Sequence, residues 1–394
     1  MRPFAFESVP RVIFGAGAAA RAGEVVARLG ARRVLLVGDE NLRRHARVVG
    51  ESLAAADVAC RMWAGGEAEP TTGVAERLVA AVADDRFDAV IGLGGGSNID
   101  VAKAAAVLLR HGGALRDYAG QGRLPGAALP VAAIPTTAGS GSEVSGACIL
   151  ALPDDHSKLA IVDNRIRPAV TIVDPALHLS CPPAVTRDAG IDALCHAVEA
   201  FTIADSEAFP HDAADAWPIY QGKHPLTDVL AERAIELIGR NLAAAVERPD
   251  DLEARTRMAL GALLAGVAMS NTGIYTVHAL TYPVGAFTRA SHGACNGALL
   301  PAVLDFVAPA RGRELARVAE LLGSPEATAG DAVRALLRRV GAAATLRELG
   351  LAREQIGPTA EIGHGIRRLM DGSPRPTSLA DLRGIVERAY GDGP

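Results

Sequence analysis

Over the first ~175 positions, short β-branched and aliphatic runs alternate with Ala-rich helical stretches. The segments "RVIFGAG", "RRVLLVGD", "FDAVIGLGGG", "PVAAIPTT" and "AVTIVDP" are continuous apolar runs that close on a turn residue, the pattern of buried strands. Helical stretches of ten or more residues separate several of them, which predicts βαβ units and a mostly parallel sheet. After Pro182-Pro183 the period changes. Residues 184–200, 226–247, 251–270, 275–282, 312–322, 329–340, 343–349 and 378–390 carry helical periodicity with little strand signal. The expected architecture is an α/β domain over 1–178 followed by an all-helical domain over 179–394. Residues 203–225 read as a long irregular insertion, a kind of segment that tends to be functional.

Composition narrows the function classes. Aromatics are 4% of a chain that is 49% hydrophobic, which favours an Ala/Val/Leu-packed enzyme over an all-β or disordered protein. A net charge of −5 with interspersed signs offers no basic face, so no nucleic-acid partner is expected. The five cysteines form no C-x-x-C pair, and read as small buried residues in a reducing compartment. No charged-then-apolar leader opens the chain and no apolar run looks long enough to span a bilayer, so a soluble cytoplasmic protein with no membrane partner is expected.

Two turns compete for a phosphate. Gly15-Ala-Gly17-Ala-Ala-Ala20 fits a loose dinucleotide fingerprint, but an ordinary turn explains it as well. Gly94-Gly95-Gly96-Ser97 is better placed, because its glycines end a strand and lead into helical amides, with a hydroxyl to donate. "PTTAGSGSE" (135–143) supplies a second polar turn at the same predicted sheet edge. Asp39, closing "RVLLVGD", suits a ribose 2′-hydroxyl and would repel a 2′-phosphate, favouring NAD over NADP; it suits a helix cap equally.

Asp192 and His196 stand at i,i+4 in "GIDALCHAVEAF", one turn apart on one helical face. His278 and His292 stand fourteen positions apart in "HALTYPVGAFTRASH". An Asp and three imidazoles suit a borderline divalent cation such as Fe²⁺ or Zn²⁺ and leave room for a substrate oxygen.

Six ordered motifs, "FGAG", "EPTT", "GGGSNIDVAK", "PTTAGSGSEVS", "GIDALCHAVEAF" and "HALTYPVGAFTRASHGACNGALLP", together resemble the iron-containing (group III) alcohol dehydrogenases over nearly the whole chain. The resemblance implies an N-terminal dinucleotide-binding domain, a C-terminal helical domain and an active site in the cleft between them. It implies metal ligation by Asp192, His196, His278 and His292, and pyrophosphate contacts at Gly95, Gly96 and Ser97, with Asp100 in the same motif. Thr136, Thr137, Ser142 and Lys158 match its further cofactor contacts. Family members are commonly at least dimeric, so a homo-oligomer is expected.

One position departs from the pattern. Many members carry a second histidine in "HALAHPLG", where this chain has Tyr282 in "HALTYPVG". A phenol hydrogen-bonds a substrate but is a poor proton acceptor at neutral pH, so Tyr282 is a catalytic candidate with packing as the alternative. "-YP-" together with "YQGKHPLTD" (220–228) resembles the hydroxyacid–oxoacid transhydrogenase branch, which couples 4-hydroxybutyrate oxidation to 2-oxoglutarate reduction. A carboxylate-bearing substrate needs a nearby cation, for which Lys223, His224 and Arg289 are candidates. The expected function is NAD- and metal-dependent oxidation of a small alcohol, a hydroxy acid or another anionic short-chain substrate. The transhydrogenase is the alternative; a dehydroquinate-synthase-like lyase and a non-catalytic binding protein are the readings from other classes.

Overall fold

The computed structural model describes residues 2–152, 157–210, 217–325 and 327–391. The chain divides into two compact units, Ser8–Cys181 and a second formed by Pro182–Pro394 with Met1–Glu7.

In the first unit the strands are β1 (Val12–Phe14), β2 (Arg33–Val37), β3 (Ala59–Trp63), β4 (Ala89–Gly94), β5 (Gly120–Gln121), β6 (Val131–Pro135), β7 (Ala147–Leu152), β8 (Ser157–Val162) and β9 (Val170–Val173). The helices are α1 (Ala22–Ala27), α2 (Arg43–Ala55), α3 (Thr72–Ala81) and α4 (Gly96–His111). Six strands form one fully parallel sheet in the order β1-β9-β6-β4-β2-β3. The five predicted strands are its β1, β2, β4, β6 and β9. β2 shows why a continuous apolar run is needed. Leu35 and Val37 pack on one face with Val74 and Leu78 of α3 and Val101 of α4, while Val34 and Leu36 pack on the other with Val26, Val49 and Leu53. A three-stranded sheet, β5-β8-β7, was not anticipated; β7 and β8 pair antiparallel. Edge strand β3 was missed because four of its five residues are exposed and leave no apolar pattern.

The chain steps outward from β2 to β3 and then returns to place β4 on the other side of β2. That reversal is a switch point, and the carboxyl ends of β2 and β4 flank it.

The second unit is helical among its described residues: α5 (Pro183–Thr202), α6 (Pro225–Glu247), α7 (Leu252–Thr272), α8 (Thr276–Thr288), α9 (His292–Leu321), α10 (Ala329–Arg339), α11 (Ile356–Gly365), α12 (Arg367–Met370) and α13 (Leu379–Tyr390). The helix expected at 312–322 is the far end of α9, which bends at Arg311, two residues after Pro309. Residues 343–349 form turns rather than the expected helix. By length and composition α9 does reach the size of a membrane span, against the sequence expectation, but it is mostly buried as a core helix. The described parts of the 203–225 insertion carry a single bridge, Asp205 to Lys223.

Candidate metal centre and nucleotide loop

α5 carries Asp192, His196 and Glu199 at i, i+4 and i+7, so all three share one face. Each is buried. α7 ends at Gly273, whose φ of 87° a side chain would strain, and the chain turns through 106° into α8. His278 stands in the first turn of α8. His292 opens α9 directly after its cap, Ser291, whose Oγ accepts from the Ala294 amide and donates to Asp188 Oδ2 of α5. Gly293 permits this approach: a Cβ there would lie 1.9 Å from the Asp188 carbonyl oxygen.

The four predicted ligands therefore meet, although α5 and α9 are distant in sequence. Asp192 Oδ1 lies 3.6 Å from His196 Nε2, 3.7 Å from His278 Nε2 and 3.7 Å from His292 Nε2. Nitrogen and oxygen ligands about 2.0–2.2 Å from one tetrahedral ion stand about 3.3–3.6 Å apart, so this donor set fits a divalent cation with modest contraction. The donor atoms of Asp192, His278 and His292 lie within 4.8 Å of one another, and His196 stands outside that tighter trio. The His196 and His278 rings stack at 4.8 Å.

Two further residues orient the set, and neither was singled out from sequence. Glu199, with no solvent exposure, accepts from His278 Nδ1 at 2.5 Å and from the amides of Tyr275 and Val277 at the start of α8. That bond aims Nε2 at the ligand cluster. Asn296, equally buried, donates to Asp192 Oδ1 at 2.7 Å, and Thr281 donates to its side-chain oxygen. Glu199 was legible as the next turn of the Asp192–His196 face, and Asn296 as the next turn after His292.

Burial opposes ionisation of Asp192, but the charges of His196, His278 and His292 overturn this and hold its carboxyl far below the usual range. Burial likewise opposes a charged His278, yet Glu199 and Asp192 raise it well above an ordinary imidazole. Such a cluster of two carboxylates and three imidazoles binds either protons or a cation. Cys195, beside His278, is pushed by burial up to about 12 and stays a thiol.

Tyr282 lies one turn beyond His278, with its ring 6.2 Å from that of His292. Its hydroxyl accepts from Arg368 Nη2 of α12 at 3.3 Å. The cations suggested by sequence behave differently. Lys223 is shared by Glu314 at 3.1 Å and Asp228 at 3.3 Å. His224 stacks flat on Phe4 at 4.0 Å, and burial draws its pKa down to about 4, so it carries no charge at neutral pH. Arg289 is the exposed left-handed cap of α8.

In the first unit, Gly94 has φ of 140°, and α4 begins at Gly96. A Cβ at Gly96 would stand 2.5 Å from Ser140 Oγ, so the loop admits close backbone approach only with glycine there. Gly95 and Ser97 are half-buried beside it, Thr136 donates its amide to the Gly94 carbonyl, and Thr137 is half-buried. Asp39 caps the turn after β2 by accepting from Asn41, and its second oxygen accepts from Asn98 of α4 at 2.9 Å. Asp39 and the glycine loop are thus neighbours across the switch point.

Asp100 and Ser142 point into the fold. Asp100 accepts from the Ser142 hydroxyl and the Ile149 amide, and Lys103, fully enclosed, donates to Ser142, Ser145 and the Ala147 carbonyl. These side chains lock the base of the loop, leaving its glycines and Ser97 to meet a ligand. Lys158 on β8 donates to Glu69 at 2.7 Å. The Gly15–Ala20 turn holds an anion already: the Asp174 carboxylate accepts from the amides of Gly17 and Ala19 at 3.0 Å.

Comparison with known proteins gives the family. Residues 10–175 match the family model for iron-containing alcohol dehydrogenase, and 186–390 match that for the C-terminal part of the Fe-containing alcohol dehydrogenase family. A long-chain-alcohol dehydrogenase of Geobacillus thermodenitrificans is 34% identical, with 97% of each chain covered. The mitochondrial hydroxyacid-oxoacid transhydrogenase of Rattus norvegicus is 30% identical over 98% of this chain and 89% of its own. Among solved structures, sulfoacetaldehyde reductase from Bifidobacterium kashiwanohense, in complex with NAD⁺, superposes with a TM-score of 0.86 at 25% identity over the whole of both chains.

Proposed function

The chain belongs to the iron-containing alcohol dehydrogenase family, an oxidoreductase family acting on alcohols with NAD and a divalent metal, and from that premise we propose that it interconverts a short hydroxy acid, or another short anionic alcohol, with its aldehyde. The observation that carries this reading is the convergence of three imidazole nitrogens on Asp192 Oδ1. Asp192, His196, His278 and His292 would hold Fe²⁺ or Zn²⁺. Such an ion supplies Lewis-acid polarisation of a substrate oxygen.

The remaining work falls to the chain itself. Gly95, Gly96 and Ser97, with the first amides of α4, take the pyrophosphate of the nucleotide. Asp39 takes the ribose hydroxyls and disfavours a 2′-phosphate, so NAD is preferred to NADP. Glu199 keeps the His278 proton on Nδ1, and Asn296 fixes the Asp192 carboxylate. Tyr282 contributes a hydroxyl rather than an acid–base imidazole, so proton exchange with solvent does not pass through a histidine at this position.

The transhydrogenase is a second reading, favoured by the likeness to the rat enzyme and by the "YQGKHPLTD" stretch. A paired assay separates the two. Protein reconstituted with Fe²⁺ or Zn²⁺ is given 4-hydroxybutyrate with excess NAD, followed by NADH absorbance, or 4-hydroxybutyrate with 2-oxoglutarate and no added NAD, followed by product analysis. NADH in the first arm alone is the expected result and identifies a dehydrogenase that releases its cofactor. Turnover in the second arm identifies the transhydrogenase. Silence in both, and with simple alcohols, on metal- and NAD-loaded protein overturns the dehydrogenase reading.

A further inference from the structure

Arg367 and Arg368 are adjacent on α12 but differ in partners. Arg367 pairs with Asp371 at 2.7 Å. Arg368 meets no carboxylate: its polar partner among the described residues is the Tyr282 hydroxyl. Arg368 is an exposed residue whose charged end is nonetheless crowded by the surrounding chain, and the Tyr220 phenol also bears on it. A guanidinium has five N–H donors in a rigid fork, and one hydrogen bond leaves most of them to an incoming group.

Its place matters. Tyr282 is one turn from His278 and its ring lies 6.2 Å from that of His292, so the phenol spans the interval between the ligand cluster and the Arg368 fork. Of the other cations that the sequence offers, Lys223 is neutralised by Glu314 and Asp228 and His224 is uncharged, while Arg289 is the exposed cap at the far end of α8.

We infer that Arg368, held by Tyr282, anchors the terminal oxyanion group of a short substrate whose alcohol or aldehyde end lies at the Asp192–His278–His292 cluster. A carboxylate, sulfonate or phosphonate presents the paired oxygens that a guanidinium fork takes in bidentate fashion. This rests on the dehydrogenase reading above and names the residue that sets its substrate class. Tyr282 is the positioning residue and Arg368 the specificity residue.

The test uses the full chain with Arg368→Met and Arg368→Lys. In the metal-loaded enzyme, kcat/KM is compared for 4-hydroxybutyrate and 1-butanol. The ratio of the two should fall about 10- to 100-fold in Arg368→Met, through KM more than kcat, with partial recovery in Arg368→Lys. Butyrate, which lacks the reacting hydroxyl, is titrated calorimetrically into metal-free protein; its binding should weaken by a similar factor in Arg368→Met. An unchanged ratio, or equal butyrate affinity in wild type and Arg368→Met, overturns the assignment. A wild type that oxidises 1-butanol but neither 4-hydroxybutyrate nor 2-hydroxyethanesulfonate also overturns it, while leaving the dehydrogenase reading intact. Failure to oxidise any alcohol sinks that reading instead, and the butyrate titration still decides Arg368.

Discussion

Glu199 of α5 and His278 of α8 are joined at 2.5 Å, and the same carboxylate also accepts from two amides that open α8. One buried side chain therefore sets both where α8 starts and which nitrogen of its histidine faces Asp192. Replacing Glu199 by Gln keeps the shape but removes the charge that holds the imidazole. Metal affinity should drop about 10- to 100-fold, as for other partners of metal-bound histidines. Competition with a chromophoric chelator measures this, and an unchanged affinity would show that α8 packing alone orients the ring.

His278→Ala should abolish turnover and weaken metal binding while NAD binding survives, because the glycine loop belongs to the unit Ser8–Cys181. Metal analysis and a nucleotide fluorescence titration on the same sample check both halves. Full activity in a variant verified to contain metal would remove His278 from the ligand set.

Asp39→Gly should relax the preference for NAD towards NADP by removing the carboxylate that opposes a 2′-phosphate. It also deletes the cap on Asn41 and the bond to Asn98, at a cost of about 1 kcal/mol. Ratios of kcat/KM for the two nucleotides decide the first effect and denaturant melts the second. If selectivity stays put while stability drops, Asp39 is a cap and nothing more.

Glu143 gives a pH signature. Burial raises its carboxyl to about 7 from an ordinary 4.5, with the Lys103 charge only partly opposing this. Below pH 4.5 the folded and unfolded chains both hold the proton. Above it the unfolded chain releases the proton first, so this stabilising contribution declines as pH rises and is lost above about 7. Glu143→Gln should therefore gain on the wild type between pH 5 and 8, by up to about 3 kcal/mol. Urea unfolding at both pH values reads the difference. A gap that does not widen with pH would mean that Glu143 is ionised in the folded protein.

The parallel sheet was legible because its inner strands bury both faces and leave unbroken apolar runs, as Val34–Val37 shows. β3 left no such trace, since its side chains face outward at the sheet edge. Part of the candidate cluster was legible because Asp192 and His196 repeat at helical spacing. Asn296 stands one turn after His292, but only its tertiary bond to Asp192 gives it a role. Asp100 and Ser142 lie in the cofactor motifs, yet their hydrogen bonds run into the fold. That distinction depends on which way a side chain turns, and spacing does not record it. Arg368 meets Tyr282 from 86 positions away, a tertiary relation with no local signature.

The donor set also has a topological meaning. Asp192 and His292 are separated by 100 positions, and Asp192 Oδ1 with His292 Nε2 would share one ion. Unfolding would scatter these ligands along the chain and release the ion, so the free energy of holding it adds to the cost of unfolding. The metal would thus govern how long the helical unit endures heat or chelator, even in a variant that has lost all chemistry.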